Sequence, residues 1–136
     1  VHLTWNRNQP RWTKDKYDIS PSSVDWNKFL GGAPEQPVDE YRFRQWRWFW
    51  DFGGGIFTDL MVHQIDIAHW LLGLDHPATA ASIGDHFKAK DLWETPDTVQ
   101  TLLQYSEQGV QVYFEGTFVN ARNAAMLPTV STRFAT

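Results

Sequence analysis

At 136 residues, 42% hydrophobic and 21% charged, the chain has the make-up of one globular domain and not of a disordered segment. A formal net charge of −4 disfavours nucleic acid as a partner, and no apolar run approaches the ~20 residues of a membrane helix. The absence of cysteine excludes disulfides and thiolate metal sites without identifying the compartment.

The chain opens on Val1 with no signal peptide, which reads as a piece of a longer protein; a cytoplasmic location is expected and a periplasmic one stays open. Residues 1–5 alternate as a short strand does, and Asn6-Arg7-Asn8-Gln9-Pro10 follow. Lys14, Asp15 and Lys16 read as a solvated turn. Residues 24–30 make one or two helical turns closed by Gly31 and Gly32, and residues 31–40 a surface loop. Residues 41–50 then pack three arginines among six aromatics. Basic residues among aromatics can bind nucleic acid, but the acidic balance argues against it. Guanidinium groups stacked on aromatic faces in a packed cluster are the favoured use, with a sugar ring on an exposed Trp as the alternative.

Gly53, Gly54 and Gly55 lead from this run into a helical pattern over residues 56–72. Apolar residues recur at helical spacing (Ile56, Leu60, Ile67, Leu71; Phe57, Leu60, Ala68, Leu72), and Gly73 with Pro77 supplies the stop. So much of the circumference is apolar that the helix is expected to be largely buried. Its narrow polar stripe holds Asp59, His63 and Asp66, which at about 100° per residue fall within roughly 60° of one another. A carboxylate and an imidazole one turn apart can tune a histidine for proton transfer near neutral pH. The same spacing also serves an ordinary hydrogen-bonded pair. Asp, His and Asp are plausible metal ligands too, but no second ligand cluster completes such a site, and no metal is assigned. His69 lies off the stripe and reads as structural.

Residues 77–85, 97–105 and 110–118 read as strands, the last two joined by a hairpin turn at Ser106-Glu107-Gln108-Gly109. Alternation in the last two predicts an α+β fold: an open, mostly antiparallel sheet with helices packed on one face, expected to be the incomplete part of a larger sheet. Residues 1–126 form the domain. Residues 127–136 show neither alternation nor pattern and are expected to be a disordered or non-native tail.

The pattern Trp50-Asp51-x-Gly53-Gly54-Gly55-x3-Asp59-x3-His63-x2-Asp66-x3-Trp70-x2-Gly73, then Pro77, resembles the C-terminal domain of the Gfo/Idh/MocA oxidoreductases, which include glucose-fructose oxidoreductase and inositol dehydrogenase. The likeness runs from about Trp5 to Ala125 and is densest over residues 46–77. It implies the substrate-binding and oligomerising half of a NAD- or NADP-dependent oxidoreductase that moves hydride between a sugar or polyol hydroxyl and nicotinamide. The cofactor would be held mainly by an N-terminal Rossmann domain outside this chain, whose Gly-x-Gly-x-x-Gly has no counterpart here, so no residue of this chain is assigned to it. By the same likeness His63 is the proton acceptor, Asp59 faces the substrate beside it, and a lysine from the cofactor domain is their partner. Asn6, Arg7 and Asp66 are the candidate substrate contacts, with Asn8 beside them; a solvated strand end is the alternative for the first two, and support for Asp66. Met61 stands where members often carry a small residue, which bears on the shape of the pocket. The resemblance further implies a homo-oligomer through the sheet face. Two alternatives go with it: a NAD-dependent glycosidase of the same superfamily, and a non-catalytic carbohydrate-binding or dimerisation module.

Overall fold

Alternation decides the sheet. In the computed structural model, which describes residues 1–7 and 12–119, four strands form one sheet: β1 (His2–Asn6), β2 (Thr79–Asp85), β3 (Thr98–Tyr105) and β4 (Val110–Thr117). Their order is β1-β4-β3-β2, with β1 parallel to β4 and the other pairs antiparallel. Along β3, Val99, Thr101, Leu103 and Tyr105 point to the buried face while Gln100, Leu102 and Gln104 are exposed. Val112 and Phe114 of β4 join the buried set. Gly109, at φ 64°, turns the hairpin between β3 and β4 where a side chain would be strained.

Two short helices precede the glycine turn. In α1 (Trp26–Leu30) the Asp25 carboxylate accepts from the Lys28 N–H at 3.1 Å, and in α2 (Glu40–Arg44) Asp39 accepts from Arg42 at 2.9 Å. The aromatic run then folds inward. Trp48 stacks on Trp93 at 4.1 Å between ring centroids, and Phe118 meets both edge-on. The arginines lie over rings as expected, Arg42 at 4.4 Å from Phe49, Arg44 at 5.6 Å from Tyr17 and Arg47 at 5.3 Å from Trp46.

The helix after the glycines differs from the expectation in two ways. It opens with a π-helical turn (Phe57–Met61), marked by the Val62 N–H bonding back to the Phe57 carbonyl, before continuing as α3 (Val62–Leu72). It is also far from buried. Ile56, Leu60 and Ala68 are covered, and Met61 and Ile65 pack against the core. Val62, Ile67, Trp70, Leu71 and Leu72 are exposed. The reason is geometric: a single sheet covers one side of a helix, and the described residues place nothing over the other. Gly73 closes α3 in the left-handed conformation, its N–H and that of Leu74 both reaching the His69 carbonyl. Among the described residues no helix is long and apolar enough to cross a membrane. The terminal segment 127–136 lies outside the described residues.

Candidate functional site

The glycine turn is a fold-back onto Arg47. Gly55 N–H donates to the Arg47 carbonyl at 3.0 Å, Gly53 N–H to Phe49 at 2.9 Å and Gly54 N–H to the Thr58 hydroxyl at 2.8 Å. A Cβ on Gly53 would lie 3.2 Å from the Arg47 backbone, and one on Gly55 would lie 2.5 Å from the buried Thr95 hydroxyl. These close approaches explain why residues without a Cβ stand here. All three amides are engaged within the chain, so the turn has no N–H to offer the phosphates of a dinucleotide, which need such donors.

The turn delivers Asp59 and His63 to the same helix but does not join them. Asp59 sits in the π-helical turn, its N–H on the Gly55 carbonyl at 3.0 Å. That wider turn rotates it relative to His63 from the placement a uniform α-helix would give. Its carboxylate Oδ2 lies 3.0 Å from Arg47 Nε. Proximity there is not an aligned hydrogen bond, for the Arg47 Nε–H finds no acceptor in its direction. The contact is an ion pair. His63 and Asp66 are exposed on α3, and neither side chain makes a hydrogen bond or ion pair with a described residue. The predicted pairing of Asp59 with the imidazole is therefore replaced by a pairing with Arg47. His69, by contrast, is tied at 2.6 Å to the hydroxyl of buried Tyr105, the structural role expected of it. Burial pushes the Tyr105 phenol above its ordinary range.

The strand end is divided. Alternation along β1 turns Leu3 and Trp5 to the helix-covered side and Asn6 to the open side, where its amide donates to Glu115 at 3.1 Å. Ile56 marks the other side, packed against Gly116 one residue further along β4. Asn6 is thus separated by the sheet from Asp59 and His63, and lines instead a cavity of about 310 Å³ with Phe87, Thr98, Gln100 and Glu115. Arg7 continues the pairing, its N–H on the Thr117 carbonyl at 2.8 Å, and its side chain is exposed. Asn8 lies outside the described residues. No group of three or more His, Asp or Glu suited to a metal occurs among the described residues.

Arg47 is the residue of this group that sequence reading passed over. Set between Trp46 and Trp48, it reads as one more stacked guanidinium, and it does lie over Trp46. Its second contact links residues on either side of a glycine turn, which no helical or strand period reports.

Residues 27–134 match the family model described as GFO/IDH/MocA C-terminal domain, so the match reaches past residue 126 into the terminal segment. Solved structures to which the chain is similar include the candidate oxidoreductase yvaA of Bacillus subtilis, at 17% identity and TM-score 0.48 over 90% of this chain and 24% of that one. The YPO2259 candidate oxidoreductase of Yersinia pestis follows at 20% and 0.46, over 88% and 23%. A candidate oxidoreductase of Klebsiella pneumoniae matches at 19% and 0.47, over 90% and 24%. The chain spans about a quarter of the length of each. No curated protein matches it.

Proposed function

The chain belongs to the GFO/IDH/MocA C-terminal domain family, and we propose that it forms the substrate-facing half of a NAD- or NADP-dependent oxidoreductase acting on a sugar, polyol or related hydroxyl compound. The observation that carries this reading is the His63 imidazole, exposed and without a partner among the described residues, four residues along the same helix from a carboxylate that Arg47 holds. A histidine free of internal partners can take the proton of a substrate hydroxyl, and a held carboxylate can accept a hydrogen bond from a neighbouring one. Arg7 and Asp66, both exposed, are the further proposed contacts. Asn6 is left out, because Glu115 holds it on the other side of the sheet.

When bound, the nicotinamide supplies the hydride acceptor. Its phosphates find no donor in the glycine turn, so its site is assigned to a domain outside this chain. The apolar surface around His63, made by Val62, Ile67, Trp70 and Leu71, supports that assignment, since such patches mark surfaces that another surface covers. We extend the proposal to a homo-oligomer formed through the open face of the sheet, where Ile83 and Leu102 are exposed.

In the full-length enzyme, His63→Ala should lower kcat about a hundredfold or more, the scale of losing a positioned general base. Because the His63 side chain is exposed and has no partner among the described residues, melting temperature should hardly move. Asp59→Asn should also lower kcat while the protein stays folded. A His63→Ala enzyme with wild-type turnover would remove the assignment.

A further inference from the structure

We infer that Arg47 is a positioning residue for Asp59, setting where that carboxylate meets the substrate; this rests on the reading of Asp59 as a substrate-facing acid. One residue brackets the whole entry to the helix. Its carbonyl accepts the Gly55 N–H at 3.0 Å, the Gly55 carbonyl accepts the Asp59 N–H at 3.0 Å, and its Nε returns to Asp59 Oδ2 at 3.0 Å. The π-helical turn begins inside this loop of contacts, at Phe57. A π turn is a rare element, often found at functional sites.

The pairing is also selective. Arg42 divides its guanidinium between Asp51 and Glu94, whereas the carboxylate paired with Arg47 among the described residues is Asp59. The contact uses Oδ2 and leaves Oδ1 without a partner among the described residues, free to accept a substrate hydroxyl. Trp46 beneath the guanidinium limits its swing. Both side chains are partly exposed, 34% for Arg47 and 26% for Asp59, so as a stabilising ion pair alone the contact would contribute little. Its value lies in geometry.

The test is a double-mutant cycle in the full-length enzyme. kcat/KM is measured on a compound the wild type oxidises, chosen from a panel of sugars and polyols by nicotinamide reduction. Arg47→Met should lower kcat/KM by about tenfold to a hundredfold, the upper end being the scale of misplacing a contact by about 1 Å, and Arg47→Lys should recover part of it. If Arg47 acts through Asp59, the double variant Arg47→Met with Asp59→Asn should be no worse than Asp59→Asn alone, within about twofold. Losses that multiply would overturn the inference. So would an Arg47→Met enzyme that melts lower but keeps full kcat/KM while Asp59→Asn is impaired. Full activity in Asp59→Asn would instead strike at the functional reading beneath it.

Discussion

Asp97 shows what a fully committed carboxylate looks like in this chain. It is completely buried, and Oδ2 accepts the N–H groups of Phe87, Lys88 and Ala89 at 3.0, 2.7 and 2.8 Å. Oδ1 takes the Thr98 hydroxyl at 3.0 Å. The side chain clamps the connection between β2 and β3 against the sheet. Asp97→Ala should therefore cost about 3 kcal/mol, because three amides, that of buried Ala89 among them, would lose their acceptor, and Asp97→Asn, which keeps an oxygen, should cost less. Chemical denaturation of the two variants checks this; equal, small losses would mean the loop finds other acceptors. Asp59 stands at the opposite pole, its one side-chain contact among the described residues being the ion pair with Arg47. Burial and bonding separate a structural carboxylate from one left available, although in the sequence both are simply Asp.

Among the elements, the two ends of the glycine-led helix use glycine for different reasons. Gly55 has φ 60° and a Cβ there would come within 2.6 Å of the Thr95 Cβ. Gly73 has φ 62° with nothing within 4 Å. Gly73→Ala should thus cost only the left-handed backbone strain, about 1–2 kcal/mol. Gly55→Ala adds a clash with a buried neighbour and should cost about 1–3 kcal/mol more. Melting temperatures of the two variants, compared directly, isolate the steric part; equal losses would show that Thr95 moves aside. The stop at Gly73 is local, and the sequence pattern announces it. Close contact with Thr95, forty residues away along the chain, is a matter of tertiary packing.

For the molecule as a whole, the sheet has two unlike faces. One carries the core, from Ile56 and Phe114 to Tyr105 and Val112. The other is mostly polar, with His2, Tyr113 and Glu115 grouped together and Ile83 and Leu102 exposed beside them. β2 is exposed along its entire length, beyond the reach of the helix. If the proposed oligomer forms through this face, the double variant Ile83→Glu with Leu102→Glu should shift the full-length protein to a smaller species in sedimentation. Unchanged mass would place the interface elsewhere, since like charges facing each other across a dry contact are costly.

Much of this molecule is legible from the sequence alone because the relevant forces act over short spacings. Period-two alternation located three of the four described strands, Ser106 to Gly109 the hairpin, and Gly73 the end of the helix, each within a residue or two. The glycines, acid and histidine in order marked the family. Tertiary structure alone decided which side of each element is covered. Ile67 and Leu71 repeat at core spacing yet lie in the open, because hydrophobic period reports a face and not what lies against it. Asn6 falls on the far side of the sheet through the one-residue alternation of β1, and Asp59 takes Arg47 rather than His63 because a fold-back and a π turn bring the guanidinium to it. A contact across a turn depends on the path of the backbone in three dimensions, and no spacing in the sequence carries that.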